Sequence, residues 1–135
     1  MLVVSSKLFH FNSLCLMFSY SKGEIPEEIG NLLNSEILRL QNNELTGVLP
    51  SSIFNISSLE YLILRNKDLY GSLPTDICYH PSVLKVLYLT NNKFSGTIPI
   101  KIRNCTSLQK LDLGENNLTT NISHFILLRD HIISC

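Results

Sequence analysis

Residues 59–77 read LEYLILRNKDLYGSLPTDI, and the same phrase returns at residues 84–102 as LKVLYLTNNKFSGTIPIKI. Shorter versions stand on either side, NNELTGVLP at 42–50 and LQKLDLGENNL at 108–118. One proline recurs with spacings of 24, 24 and 25 residues: Pro26, Pro50, Pro74 and Pro99. A glycine keeps the same spacing: Gly23, Gly47, Gly71 and Gly96. Independent columns that share one period indicate a repeat protein.

Each repeat begins with leucines at every second position. This alternation predicts a short strand with one buried face, because successive side chains of a strand point to opposite sides. In the stretch YLILR, Leu62 and Leu64 are predicted to point inward, and Tyr61, Ile63 and Arg65 outward. One repeat cannot bury its own leucines, so the repeats must stack, each one contacting only its neighbours.

A turn follows each strand, and an asparagine marks it at Asn43, Asn92 and Asn116. Backbone amides in a buried turn have no strand partner, and leaving them unpaired is destabilising. A carboxamide both donates and accepts, so stacked asparagines can form a structural ladder through these turns. Lys67 interrupts the ladder, with Asn66 one place early. A short helical return then brings one isoleucine of each repeat inward: Ile29, Ile53, Ile77 and Ile102.

These motifs resemble the plant-type leucine-rich repeat, whose pattern is L-x-x-L-x-L-x-x-N-x-L-x-G-x-I-P. The resemblance implies an α/β repeat solenoid, an arc with short parallel strands on its concave face. It also implies second short strands and 3-10 or short helical returns on the convex side. We expect a degenerate N-terminal segment at 1–12, four to five repeats at 13–126 and a degenerate C-terminal tail at 127–135.

The same resemblance implies a function. The chain looks like a fragment of the ectodomain of a leucine-rich-repeat receptor-like kinase or receptor-like protein, since the family's paired-cysteine caps are missing. Such ectodomains bind peptide or protein ligands and co-receptor ectodomains at the cell surface in signal perception or defence. Two alternatives stay open: a secreted inhibitor of cell-wall hydrolases, and a non-functional truncated gene product. The location is predicted to be the outer face of the plasma membrane, or secreted, if a signal peptide stands upstream.

Outward side chains of the first strands are the predicted ligand-binding residues. Tyrosine and arginine are enriched where interfaces concentrate their binding energy, and an arginine can pair with a carboxylate through two hydrogen bonds. Any sheet must also present some side chains to water, so this assignment competes with an ordinary solvated surface. The predicted set is Arg39, Tyr61, Ile63, Arg65, Tyr88, Lys110 and Asp112.

Four sequons predict N-glycosylation, at Asn55, Asn104, Asn117 and Asn121, although repeats rich in Asn, Ser and Thr also produce sequons by chance. The four cysteines form no C-x-x-C pair and no zinc signature. Cys105 falls in an inward column with Leu32 and Ile56, and we expect it to be a small core residue. A Cys78–Cys105 bridge is disfavoured, because the two columns would have to converge.

Composition adds little to these motifs. Eleven basic and eleven acidic residues give a formal net charge of zero, which favours neither nucleic acid nor an anionic membrane as a partner. The sequence contains no Gly-rich phosphate loop, no kinase signature and no H-E-x-x-H or G-x-S-x-G motif. We therefore expect no enzyme activity, no catalytic residue, no cofactor, no metal site and no membrane-spanning helix.

Overall fold

The computed structural model describes residues 22–40, 44–78 and 82–119 with their side chains, and residues 13–15 and 132–134 by their backbone. Within these residues the chain forms two parallel sheets joined by 3-10 helices and turns. This arrangement confirms the predicted repeat solenoid. Each repeat forms one coil, which contributes one strand to each sheet.

The first sheet has six parallel strands in the order β1-β3-β5-β7-β9-β11. We call it the concave sheet, after the arc that the repeat pattern implies. Partner residues along β1 to β9 are 24 or 25 positions apart, so the sequence period is also the register of the sheet. The strands are β1 Ser13–Cys15, β3 Ile37–Arg39, β5 Tyr61–Ile63, β7 Val86–Tyr88, β9 Lys110–Asp112 and β11 Ile132–Ser134.

The second sheet has five parallel strands in the order β10-β8-β6-β4-β2. Its outward side chains are mostly small or charged, and two exposed ion pairs cross its strands, Lys22–Glu44 and Lys93–Asp68, each at 2.7 Å. Exposed pairs of this kind contribute little to stability. The strands are β2 Lys22–Glu24, β4 Glu44–Val48, β6 Asp68–Ser72, β8 Lys93–Thr97 and β10 Asn117–Thr119.

Short 3-10 helices return the chain from the second sheet to the concave sheet. Each follows a proline directly, because proline lacks the amide that a strand would need and its fixed φ suits the start of a helix. The helices are Glu27–Asn31, Ser51–Asn55 and Ile100–Asn104. In the third coil a turn over residues 75–78 takes this place.

One continuous hydrophobic core runs between the two sheets. The leucines of the concave strands and the isoleucines of the returns are almost fully buried, with exposures of 0 to 4%. They come from successive coils and pack into a single cluster, so the core is shared by neighbouring coils. Its rows are Leu38, Leu62, Leu87 and Leu111; Leu40, Leu64, Leu89 and Leu113; and Ile29, Ile53, Ile77 and Ile102.

The recurring glycine is required where one coil lies closest to the next. Gly47 has φ +88°, a conformation that side chains rarely adopt. A Cβ atom there would also lie 2.6 Å from Cγ of Glu24 in the preceding coil. The exposed Glu24 side chain can move aside, so it is the backbone conformation that disfavours other residues at this position.

Asn92 bonds to the backbone of two coils. Its Nδ2 donates to the carbonyls of Leu64 at 2.8 Å and Leu89 at 2.9 Å, and its Oδ1 accepts from the amide of Leu69 at 3.2 Å. Leu64 and Leu69 belong to the preceding coil, so this side chain pairs backbone groups that the strands leave open.

Asn116 repeats the pattern one coil later. It donates to Leu89 and Leu113 and accepts from the amide of Phe94. Asn43, the first predicted member of the ladder, lies outside the described residues.

Lys67 stands in the ladder column, and burial lowers its pKa. Asn66 is not a displaced ladder residue, because it forms a separate column with Asn91. Both residues have φ +57°, and Asn91 Nδ2 donates to Asn66 Oδ1 at 3.0 Å. Asparagine tolerates this left-handed conformation better than most residues.

A disulfide joins Cys78 to Cys105, with their Cα atoms 5.2 Å apart. The sequence prediction disfavoured this bridge and was wrong. Cys78 directly follows the inward Ile77. The residues at the same repeat position in two other coils, Phe54 and Arg103, are not fully buried. However, Cys78 has φ +54°, at the end of the turn that replaces a 3-10 helix, and its side chain is buried. The two cysteine columns therefore converge at this one coil.

The strand β11 lies within residues 127–135, which the sequence analysis assigns to a degenerate tail. It pairs in parallel with β9, but Ile132 stands only 22 positions after its partner Lys110. The concave sheet thus continues where the repeat spacing has changed. The boundaries at residues 12 and 126 stay predictions.

Removal of the disulfide is expected to lower the free energy of unfolding. The bridge spans a sequence separation of 27 residues, and closing such a loop stabilises a protein by about 3 to 4 kcal/mol. Urea unfolding of Cys78→Ala/Cys105→Val should show this loss relative to the oxidised wild type. Reduced wild-type protein is the control, and equal midpoints for oxidised and reduced protein would contradict the expectation.

Loss of a ladder asparagine should destabilise the protein more than loss of an exposed one. Asn92→Ala leaves the Leu69 amide and the Leu64 carbonyl without their side-chain partner, at an expected cost of about 2 to 4 kcal/mol. Asn31→Ala, at the exposed end of a 3-10 helix, is the matched control and should stay within about 0.5 kcal/mol of wild type. Similar unfolding midpoints for the two variants would count against the ladder.

Candidate ligand-binding face

The register of the concave sheet brings the predicted binding residues into two columns. Each column takes one outward side chain from each of four adjacent strands, and adjacent strands lie about 5 Å apart. The structure therefore brings all the predicted binding residues of the strands onto one surface, to which Arg65, two residues after the end of β5, is added. The columns are Ile37, Tyr61, Val86 and Lys110, and Arg39, Ile63, Tyr88 and Asp112.

The centre of this surface is less exposed than strand alternation alone predicts. Ile63 and Val86 expose only 8% and 7% of their surface, and Tyr61 and Tyr88 are half-buried. The face therefore has an apolar floor, with aromatic rings beside it and charged groups at its two ends. Ile63, a predicted contact residue, offers little surface of its own.

Arg65 leans along the sheet across two coils. Its guanidinium carbon lies 3.8 Å from the centre of the Tyr88 ring, and its Nη2 lies 3.4 Å from Asp112 Oδ2. Stacking of a guanidinium on an aromatic face is favourable, and the ion pair adds to it. Asp112 Oδ1 also accepts from the amide of Gly114 at 3.2 Å, which holds the carboxylate in place. Arg65, Tyr88 and Asp112 therefore form a cluster in which the arginine already has its counter-charge.

Arg39 lacks the counter-charge that Arg65 has among the described residues. Within the described part of the chain it makes no ion pair, and its Nε is buried without a hydrogen-bond partner. Thr90 Oγ1, on the same side of the sheet, is likewise buried and unpartnered. Both atoms are closed to solvent, so an external ligand would meet the partly exposed remainder of the Arg39 guanidinium. Arg39 is consequently the guanidinium on this face that is available to an external anion.

A second ion pair flanks the face and was not among the predicted residues. Lys85 Nζ lies 2.7 Å from Glu60 Oε2, and this hydrogen bond raises the pKa of Lys85. Both residues directly precede a concave strand, outside the alternation that singled out the strand residues. The sequence indicates this ion pair by opposite charges, Glu60 and Lys85, at the same repeat position in consecutive coils.

Two shallow depressions lie away from the concave sheet. One, of about 300 Å³, is lined by the turn residues Asn66, Lys67 and Asn91 together with residues of β4 and β6. The other, of about 560 Å³, lies against β2 and the residues that follow it. Neither depression involves the predicted binding residues, and an exposed face of parallel strands suits an extended ligand.

The predicted glycosylation sites occupy two kinds of position. Asn55 and Asn104 are the exposed last residues of 3-10 helices, in returns that are separated by the turn at 75–78. Asn117 is exposed on the second sheet, as the first residue of strand β10. Asn121 lies outside the described residues. The side chains of Asn55, Asn104 and Asn117 do not belong to the binding face.

Among the described residues there is no group of three His, Cys, Asp or Glu side chains that could hold a metal ion. The helices in this part of the protein are also too short to cross a membrane.

Comparison with protein families places leucine-rich repeats in both halves of the chain. The family Leucine Rich Repeat matches residues 34–56, and Leucine Rich repeats (2 copies) matches residues 82–127. No curated protein matches the chain as a whole. The matched segments are repeats alone, and no catalytic domain is evident in this chain.

Solved structures of plant receptors share the fold. A TDR receptor is 32% identical over 84% of this chain, with a TM-score of 0.76. The plant peptide hormone receptor RGFR1, solved in complex with RGF2, is 31% identical over 72% of the chain, with a TM-score of 0.68. The leucine-rich-repeat ectodomain of the receptor kinase SOBIR1 from Arabidopsis thaliana is 30% identical over 73%, with a TM-score of 0.67.

The chain spans only part of these receptors: 20% of the TDR receptor, 15% of RGFR1 and 53% of the SOBIR1 ectodomain. The similarity is to their extracellular repeats. Together with the Cys78–Cys105 disulfide, which forms in oxidising compartments, it suggests an extracellular location.

The contact between Arg65 and Tyr88 can be measured as a coupling energy. A double-mutant cycle with Arg65→Met and Tyr88→Leu should give about 0.5 to 1 kcal/mol, the value of a partly exposed cation–π pair. The measurement is the free energy of unfolding of the four proteins in urea. The same cycle with Lys93→Met in place of Arg65→Met is the control, and equal coupling in the two cycles would mean that the ring contact contributes nothing specific.

Proposed function

The chain belongs to the leucine-rich-repeat family, and we propose that its concave sheet binds an extended peptide or protein segment that carries a carboxylate. In this proposal the chain is part of the ectodomain of a plant cell-surface receptor for signal perception or defence. The observation that carries the proposal is the guanidinium of Arg39, which forms no ion pair among the described residues, on a face where Arg65 already pairs with Asp112.

A carboxylate is the ligand group that suits Arg39 best. The guanidinium presents several N–H donors in one plane, which match the two oxygens of a carboxylate. A ligand carboxylate would pair a charge that has no partner in the described chain, and its second contact could come from the nearby polar groups of the face. A neutral ligand would leave the Arg39 charge uncompensated.

An extended ligand suits the rest of the face. Apolar side chains of the ligand can pack on the floor formed by Ile63 and Val86, beside the half-buried ring of Tyr61. Tyrosine provides apolar contact area together with a hydroxyl group that can donate or accept a hydrogen bond. A segment that crosses the strands would meet one column position about every 5 Å, which lies between the rise of about 3.3 Å per residue of an extended chain and the spacing of about 6.6 Å between side chains on one of its faces.

The similar receptors support this proposal without identifying the ligand. RGFR1 was solved with RGF2, and SOBIR1 is a receptor kinase. By this analogy the chain would act at the outer face of the plasma membrane, with a peptide or protein ligand and a co-receptor ectodomain as a further partner. Signalling would require parts of a receptor beyond the residues present here.

Peptide binding provides the test. A library of random twelve-residue peptides, synthesised in matched free-acid and C-terminally amidated forms, is screened against the full chain by fluorescence polarisation. We expect binders mainly among the free acids, with affinities that fall about 10-fold or more in Arg39→Gln, since a charged hydrogen bond is worth about 1.5 to 3 kcal/mol. Lys93→Gln, which removes a positive charge from the second sheet, is the matched control and should bind like wild type.

A second substitution separates the two arginines. Asp112→Asn keeps the oxygen that accepts from Gly114 but removes the charge that faces Arg65. The freed Arg65 should then strengthen binding of acidic peptides by about 3-fold, an effect that added salt reduces. Equal binding of acids and amides, or unchanged binding by Arg39→Gln, would contradict the proposed site.

A further inference from the structure

The sequon at Asn104 contains a cysteine of the disulfide. Its residues are Asn104, Cys105 and Thr106, and Cys105 is bonded to Cys78 in the preceding coil. The sequon at Asn55 has Ile56 in the same middle position. The two sites therefore differ in their third residue, Ser57 against Thr106, and in a covalent bond that holds the middle residue at Asn104 and not at Asn55.

The two sites share their position in the coil and their exposure, although the amides of Cys105 and Thr106 make backbone hydrogen bonds near Asn104. Each asparagine is the exposed last residue of a 3-10 helix, and each middle residue is buried, Ile56 at 4% and Cys105 at 2% exposure. The hydroxyl residue that follows is exposed in both. Asn55 is thus a built-in reference for Asn104 within the same molecule.

In the folded coil the backbone around Asn104 is held closely. The amide of Cys105 donates to Ile102, that of Thr106 donates to Asn104, and that of Leu108 donates to Cys105, at 2.8 to 3.1 Å. A transferase must accommodate the asparagine and the hydroxyl residue together in its active site, so the segment has to leave this conformation while the sugar is added. Hydrogen bonds and packing can open and close again, but a disulfide persists in an oxidising compartment.

We propose that closure of the Cys78–Cys105 bridge ends N-glycosylation of Asn104, and that the rate of bridge formation therefore determines how many molecules carry a glycan there. Asn55, with no bonded neighbour, escapes this control. The inference rests on the extracellular route in the proposed function, because both reactions belong to the secretory pathway.

The two reactions compete for one short segment. In glycan transfer, Asn104 Nδ2 bonds to C1 of the first sugar of a lipid-pyrophosphate-linked oligosaccharide. The bond from C1 to the pyrophosphate oxygen breaks, the lipid pyrophosphate leaves, and Nδ2 loses a proton. In bridge formation, the thiols of Cys78 and Cys105 lose two protons and two electrons, and a disulfide oxidoreductase takes these up as two thiols.

The order in which the chain is made favours competition. Cys78 precedes the sequon by 26 positions, so its thiol is already present when Asn104 and Cys105 enter the compartment together. Thiol oxidation takes seconds or longer, which leaves an interval for the transferase. The glycan must be added within this interval, although a molecule that has already been glycosylated can still close the bridge, because Asn104 points to solvent.

Glycan occupancy measures the effect. The full chain is secreted from mammalian cells behind a heterologous signal peptide, deglycosylated enzymatically in heavy-oxygen water, and mapped by mass spectrometry at both asparagines. In wild type we expect only part of the molecules to carry a glycan at Asn104. In Cys78→Ala, which keeps the Asn104 sequon unchanged, the ratio of the Asn104 occupancy to the Asn55 occupancy should rise.

A second variant guards against a folding defect. Cys105→Val also prevents the bridge but fills the buried position with an apolar side chain and keeps an Asn-x-Thr sequon. The ratio should rise in this variant as well. An unchanged ratio would overturn the inference. So would an equal rise at Asn55, because slower folding as a whole would then be the cause, or an Asn104 without glycan in every variant. Occupancy requires no ligand, so this result is independent of the outcome of the peptide screen.

Discussion

The fold depends on the stacking of coils, because no single coil can bury its own aliphatic side chains. Each contributes two inward leucines from a concave strand, and these are covered only when the next coil packs against them. The backbone follows the same rule. The strands donate to the neighbouring coil, and Asn92 and Asn116 satisfy the turns between them. Stability and register thus have one origin, the contact between neighbours.

Because the register is fixed, a change of residue from coil to coil changes the side chain that the concave sheet presents at a known position. The concave strands repeat the same backbone, so the character of the face depends on which side chain each coil places in each column. Arg65 reaches Tyr88 and Asp112 in later coils, whereas Arg39 forms no ion pair among the residues that the structure describes. The distinction between a neutralised and an available arginine is therefore made by residues one and two coils away.

The repeat period made much of this predictable from the sequence. The period predicts the inward leucines, the ladder position of Asn92 and the columns of the binding face, because all of these follow from a regular backbone. The contact between Arg65 and Asp112 is not given by the period, since it depends on how a long side chain leans across 47 residues of sequence. The bridge at Cys78 was missed for a related reason, because a left-handed residue locally redirects a column that faces elsewhere in other coils.

The bridge also determines whether proteolytic cleavage separates the two ends of the binding face. A cut anywhere between Cys78 and Cys105 would divide the chain into two pieces, with Arg39 and Arg65 on one and Asp112 on the other. The disulfide would keep these pieces covalently joined, and the sheet contacts on either side would hold them in register. Cleavage in this interval therefore need not separate the two ends of the face, as long as the surroundings remain oxidising.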